Sequence, residues 1–267
     1  MNPVKARRRP DSEPAQGQGR RQRIARRLAR AGLCSRREAE RWIEAGRVSV
    51  NGEILASPAV TVGPEDRILV DGKTLADAEP TRLWRYHKPP GLVTSHRDPQ
   101  GRPTVFDNLP AGLPRLISIG RLDLSSEGLL LLTNDGALAR TLELPATGWV
   151  RRYRARVYGT VEEARLADLA HGSRIAGAVY GPIQATLDQR TGRNAWLTLS
   201  LREGRNREVR RVLASLDLQV SRLIRIAYGP FQLGTLPPGA IDEVPRKVLA
   251  EQLGAEWAGA SPKKART

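Results

Sequence analysis

The sequence predicts an α+β protein in two parts, a small basic module followed by a larger domain rich in strands. Three observations carry this. Between Arg21 and Gly46 the apolar residues recur at helical spacing. A hairpin signal then appears at Asn51-Gly52, set between alternating apolar residues. Beyond Arg82 short apolar runs dominate, and helical patterns interrupt them near 135–142, 161–169 and 207–216 without strict βαβ alternation.

Composition sets the bounds. A chain of 267 residues, 40% hydrophobic, can bury a real core and make two domains. Its 44 Lys and Arg against 28 Asp and Glu give a formal net charge of +16. A field of that sign draws in polyanions, nucleic acid first and anionic lipid second. The single cysteine, Cys34, rules out an internal disulfide and suits a reducing compartment. It reads as a small packed residue at a turn between helices. His87, His96 and His171 lack ligand spacing, so no metal is expected. The longest purely apolar run is Leu129 to Leu132, whereas a membrane span needs about 20 residues. No apolar segment follows the basic N-terminus as a secretory signal would require. The expectation is a cytoplasmic protein, monomeric, with no membrane partner.

Residues 1–20 are rich in Arg, Pro, Gln and Gly and read as a disordered basic arm. Residues 254–267, with Lys263, Lys264 and Arg266, read as a similar tail. The first module is expected over 21–80. Ile24, Leu28 and Ala31 share one helical face, and Gly32 stops that helix. Ser35 and Glu38 have capping-box spacing and open a second helix, whose inner face is Ala39, Trp42 and Ile43. Gly46 ends it, and the hairpin Val48 to Ile54 follows. Arg26, Arg27, Arg30, Arg36, Arg37 and Arg41 stay outside, and Arg47 follows the second helix.

The second domain is expected over 81–253. Tyr86-His87-Lys88-Pro89-Pro90-Gly91 ends a strand in a rigid turn. Gly101-Arg102-Pro103 holds an arginine between turn formers. Gly120-Arg121-Leu122-Asp123 puts one acid in a loop between two apolar runs, where it has no hydrophobic reason to stand. It is either a structural ion pair or a working group. On the strand at Tyr153, Ala155 and Val157 share the tyrosine's face, and Arg152, Arg154 and Arg156 take the other. On the helix after Glu203, Val209, Val212, Leu213 and Leu216 make the buried stripe. Arg210 lies on its flank, able to reach a cleft, while Arg207 and Arg211 are expected to project elsewhere.

Arg27-Leu28-Ala29-Arg30-Ala31-Gly32, Ser35-Arg36-Arg37-Glu38-Ala39 and Gly46-Arg47-Val48-Ser49-Val50-Asn51-Gly52 resemble the S4-type RNA-binding domain. The arginines named above would then face RNA phosphates and position the protein rather than read bases. The aspartate loop, the tyrosine strand and the run Glu203 to Arg211, with Val220 to Gly229, resemble the RsuA/RluB/RluF class of ribosomal RNA pseudouridine synthases. Within that class the match is most like the large-subunit (23S) synthase B type. The resemblance implies a catalytic domain built on a mixed, largely antiparallel sheet.

It also implies chemistry. Pseudouridine forms when the bond from ribose to uracil N1 breaks, the base turns, and C5 joins the sugar. No atoms are gained and no redox occurs, so no cofactor is expected. By resemblance Asp123 is the nucleophile, Tyr153 the active-site tyrosine at the base, and Arg210 the partner that keeps Asp123 charged and aimed. Lys88, Arg102 and Arg121 would hold phosphates of a flipped-out uridine, and Leu223 would form an apolar wall beneath the base. Attack on the sugar carbon and elimination through a glycal both stay open. Asp123 is expected in a water-poor pocket, where burial alone would neutralise it and an arginine reverses that. The partner implied is ribosomal RNA or a ribosome assembly intermediate. The class often has Thr at Ser126 and Lys at Arg151; hydroxyl and charge are kept. Two rivals stand beside this: a non-catalytic RNA binder, which explains the charge but not Asp123, Tyr153 and Arg210 together, and a synthase acting on small-subunit rRNA.

Overall fold

The computed structural model describes residues 21–254 and residue 257. The arm expected at 1–20, and the tail expected at 254–267 apart from residues 254 and 257, lie outside the described residues. The chain forms two units that divide between Ala78 and Glu79.

The first unit runs β1 (Gln22–Arg23), α1 (Ile24–Arg30), α2 (Arg36–Glu44), β2 (Val48–Val50), β3 (Glu53–Ile54), β4 (Thr61–Val62), β5 (Ile68–Val70) and β6 (Lys73–Thr74). Strands β3-β2-β5-β6 form one antiparallel sheet, and β1 pairs with β4. Ser35 caps α2, its Oγ accepting from the Glu38 amide at 3.2 Å. The β2–β3 turn places Asn51 and Gly52 at φ of 54° and 93°, the left-handed pair that a two-residue hairpin demands. Ile24, Leu28, Ala39, Ile43 and Val48 make the core, and Cys34 is buried in it.

The second unit contains β7 (Leu83–Lys88), β8 (Ile117–Ile119), β9 (Glu127–Thr133), α3 (Gly136–Glu143), β10 (Arg151–Tyr158), α4 (Glu163–Asp168), β11 (Ser173–Ile175), β12 (Ala178–Tyr180), β13 (Ile183–Thr191), β14 (Asn194–Leu201), α5 (Glu208–Ala214), β15 (Gln219–Tyr228), β16 (Phe231–Gln232), β17 (Ile241–Glu243) and α6 (Arg246–Leu253). Its main sheet has the order β13-β14-β10-β15-β9-β7-β17, with β8 also on β9 and β16 on β15. The β9–β15 pair is parallel and the other pairs of this sheet are antiparallel.

The four leucines of β9 explain themselves here. Leu129 and Leu131 enter one core, Leu130 and Leu132 another, so the strand is covered on both faces. A third core lies against β10, β13 and β14, where α5 buries Val209, Val212 and Leu213. Topology then sets where a site can form. Along one edge β9 pairs with β15 at its start and with β8 at its end. The loop 120–126 leaves the sheet where one neighbour replaces the other.

Candidate active site

The loop 120–126 is held through its backbone, the Gly120 amide donating to Glu143 Oε1 at 2.6 Å and several carbonyls accepting. Thr94 Oγ1 donates to the Leu122 oxygen at 3.0 Å, and the Gly91 amide to that of Leu124 at 2.8 Å. Arg210 Nη2 donates to the Ser125 oxygen at 3.2 Å, and Lys88 Nζ to that of Ser126 at 2.8 Å. The Ser126 amide closes the turn on the Asp123 oxygen at 3.0 Å. Leu122 is buried and anchors the loop in the core that also receives Tyr153. The backbone is thereby fixed while the Asp123 side chain stays clear of it.

Asp123 is 27% exposed, and its Oδ2 lies 3.8 Å from Arg207 Nη1. Two expectations change here. The carboxylate is partly open to solvent rather than enclosed in a water-poor pocket. Its ion-pair partner among the described residues is Arg207, not Arg210. Arg207 was expected to project away because an ideal helix was extended through it. It is instead the residue before α5, at φ 52°, and that left-handed backbone turns its side chain back toward the loop.

Arg210 acts at second hand. Its guanidinium donates to the Val220 oxygen at 3.1 Å as well as to Ser125, tying α5, β15 and the aspartate loop together. Burial works most strongly against its cation, the like charge of Arg207 adds to this, and Asp123 opposes both. Asp123 therefore sees two guanidiniums, one braced on carbonyls and one half-exposed.

Lys88 is also corrected. It is fully buried, so it cannot hold a substrate phosphate. Its Nζ sits among the oxygens of Pro89 at 3.0 Å, Leu124 at 3.4 Å and Ser126 at 2.8 Å. Burial pulls its pKa down to about 8, against the pull of Asp123 and Glu127. A strand-end lysine before two prolines looked like a surface group. Neither its neighbours in sequence nor its type revealed the carbonyl cage, and Thr94 carried no signal at all.

Arg102 is exposed but engaged, with Nε and Nη2 on the two Asp98 oxygens at 2.9 and 2.7 Å. That pair and backbone amides hold the Asp98 pKa down to about 2. Arg121 is exposed. Leu223 is only 4% exposed and fills the core beside Ala155, so little of it is left to face a base. Tyr153 is partly buried and packs against both cores that meet at this point. In the first unit Arg36, Arg37 and Arg41 are exposed. Arg26 and Arg30 are partly buried. Arg27 pairs with Asp77 at 3.2 Å, and Arg47 grips Asp71 at 2.9 and 2.6 Å while lying over Trp42.

The arrangement thus joins a carboxylate on a loop pinned through its backbone, two guanidiniums, and a partly buried tyrosine packed on the same core as Leu122. A family model described as RNA pseudouridylate synthase matches residues 82–215, and one described as S4 domain matches residues 22–68. The chain belongs to the RNA pseudouridylate synthase family, a class of RNA isomerases, and carries an S4 domain ahead of the synthase domain. An uncharacterised RNA pseudouridine synthase of Rickettsia prowazekii is 45% identical over 231 residues, covering 86% of this chain and 97% of the relative. Ribosomal large subunit pseudouridine synthase B of Salmonella typhi is 44% identical over 224 residues, covering 81% of this chain and 77% of the relative. A crystal structure of a pseudouridylate synthase superposes with a TM-score of 0.60 at 29% identity, covering 86% of this chain and 99% of that one.

Proposed function

We propose that this protein converts a specific uridine of ribosomal RNA, in the large-subunit (23S) RNA, to pseudouridine, with Asp123 as the nucleophile. The observation that carries the reading is a carboxylate whose loop is pinned through its carbonyls while the side chain stays open to a substrate and within 3.8 Å of a guanidinium. The likeness to the Salmonella large-subunit synthase supports the choice of RNA.

A uridine within a duplex is out of reach, so the base leaves the stack, which costs a few kcal/mol unless the nucleotide lies in a loop or bulge. Tyr153 gives the extruded uracil an apolar face. Asp123, beside Arg207 and Arg210, attacks the ribose carbon or takes part in elimination to a glycal. In both routes the N1 bond breaks, the base turns in place, and C5 joins the sugar. Arg210 sets the position of the loop through Ser125. Lys88 supplies a fixed positive charge behind it. Arg121 is the exposed cation nearest in sequence and meets the RNA backbone. The S4 domain adds phosphate contacts that place the synthase domain on its target.

Chemical mapping of pseudouridine in rRNA tests this. Cells lacking the protein should lose the modification at one 23S uridine and regain it when the gene is restored. An unchanged 23S map, or a loss confined to 16S rRNA, contradicts the assignment.

A further inference from the structure

The main sheet has a reverse side that the chemistry does not use. Ala155 and Val157 of β10 face the core that also holds Val209, Val212 and Leu213 of α5, and α5 bears Arg210 and follows directly on Arg207. Arg152, Arg154 and Arg156 alternate with them and point the other way. Across β14 they meet Ser200, Thr198 and Trp196, polar or half-buried residues rather than core. Across β15, Arg156 lies directly opposite Arg222.

Folding does not explain this. Like charges placed directly opposite across a sheet destabilise it. Arg154 is relieved by Asp188 at 3.4 Å, and Arg222 by Glu127. Arg152 and Arg156 are exposed, and neither has a carboxylate within ion-pair distance among the described residues. The aromatic rings here are covered by arginines. Arg154 lies 4.8 Å over Trp196, and Arg193 lies 4.7 Å over Tyr158. Each of these rings carries a guanidinium over one face, while Tyr158 itself stays exposed. Arg152 and Arg156, four residues apart on the strand, are separated by roughly 13 Å, about two phosphate steps along an RNA strand.

We propose that this arginine face is a second RNA-docking surface, which receives the backbone of a helical segment of the same RNA whose uridine enters on the α5 side. The inference rests on the reading of the protein as an rRNA synthase. It commits to phosphates rather than bases, because Arg152 and Arg156 are exposed cations with no carboxylate in ion-pair distance among the described residues. The synthase domain would then be held between two parts of one folded RNA, and short substrates would lack the second contact.

The test uses the full chain with Arg152→Gln and Arg156→Gln together. Binding to a domain-length 23S transcript is measured across a salt series, and turnover on a short stem-loop carrying the mapped uridine. Losing two phosphate contacts should lower the slope of log K against log salt by about 1.5 and weaken binding roughly tenfold at low salt. Stem-loop turnover should stay within about twofold of wild type. The Arg152→Lys, Arg156→Lys variant should keep the wild-type slope, which separates charge from misfolding. An unchanged slope in the Gln variant overturns the proposal and leaves the face to an acidic protein partner. Equal losses on transcript and stem-loop overturn it too, because the effect then lies in the cleft. The slope can be read even if the wild-type protein forms no pseudouridine, so the two failures are distinguishable.

Discussion

At the scale of single residues, two cations, Lys88 and Arg207, lie near Asp123. Lys88 is the buried one. Its pKa of about 8 lies below the ordinary lysine value of 10.5. The unfolded chain therefore binds more protons between those values, and stability from this group rises with pH across that window. Below pH 8 the full cost of the buried charge is present. Activity has the opposite sign, because the aspartate loop loses its cationic anchor as Lys88 deprotonates in the folded state. Turnover should fall as pH passes about 8, while thermal melts show no matching loss of stability. Asp123 and Glu127 are the charges facing Lys88. In Lys88→Met the alkaline limb should vanish from a baseline roughly tenfold lower. A limb that persists in this variant would assign the titration elsewhere.

Arg207 is the exposed cation, and it stands in a backbone conformation unfavourable for any side chain. A left-handed residue of this kind costs roughly 1–2 kcal/mol. Arg207→Gly removes that strain but gains unfolded-chain entropy, so the variant should be about 0.5 kcal/mol more stable or neutral. It should lose about tenfold in kcat/KM. Denaturant melts and steady-state kinetics on the same samples check both. If activity survives, Arg207 is a helix-start residue only. The residue was misread from sequence because the apolar stripe of α5 gives the helix but not its first residue, and one residue's φ reverses where the arginine points.

At the scale of elements, the site depends on the seam between β9 and β15. Gly128 sits in that seam at φ 102°, and a Cβ there would lie 2.4 Å from the Arg225 oxygen and 2.8 Å from its nitrogen. Both obstacles are backbone and cannot swing aside. Gly128→Ala should therefore cost more than about 3 kcal/mol in chemical unfolding, and activity should fall with it because Ser126 and Glu127 enter the seam directly from the aspartate loop. A cost below about 1 kcal/mol would mean that the seam does not fix the loop.

Elements of this size were largely legible. The cap at Ser35 and the turn at Asn51-Gly52 are local signals and both appear in the structure, the cap as Ser35 Oγ accepting from the Glu38 amide. Helix α3 begins at Gly136 with Asp135 as its cap, close to the expected start. What stayed hidden was non-local. The carbonyl cage of Lys88 joins residues 36 and 38 positions away. The arginine at Leu129's carbonyl, Arg225, is buried although its sequence neighbours alternate like any edge strand. Periodicity reports which face a residue takes, not which backbone oxygens wait there.

At the scale of the whole molecule, a net charge of +16 is spread over parts with different tasks. Arg36, Arg37 and Arg41 are exposed on the S4 domain, while Arg27 and Arg47 are tied to carboxylates. In the synthase domain, Arg207 and Arg210 lie by Asp123, and Arg152 and Arg156 stand on the other face of the sheet. Among the described residues no helix is long and apolar enough to cross a membrane. On the proposed reading, charge brings RNA to the protein by several routes, and one acid, Asp123, does the chemistry.

Replacing that acid separates the routes from the reaction. Asp123→Asn keeps the size of the side chain and leaves the loop's carbonyl contacts in place. Single-turnover assays on 23S transcript should show pseudouridine formation lowered by more than about 10³-fold, with RNA affinity within about twofold of wild type. A variant that still forms pseudouridine at a comparable rate would contradict the assignment of Asp123 as the reacting group.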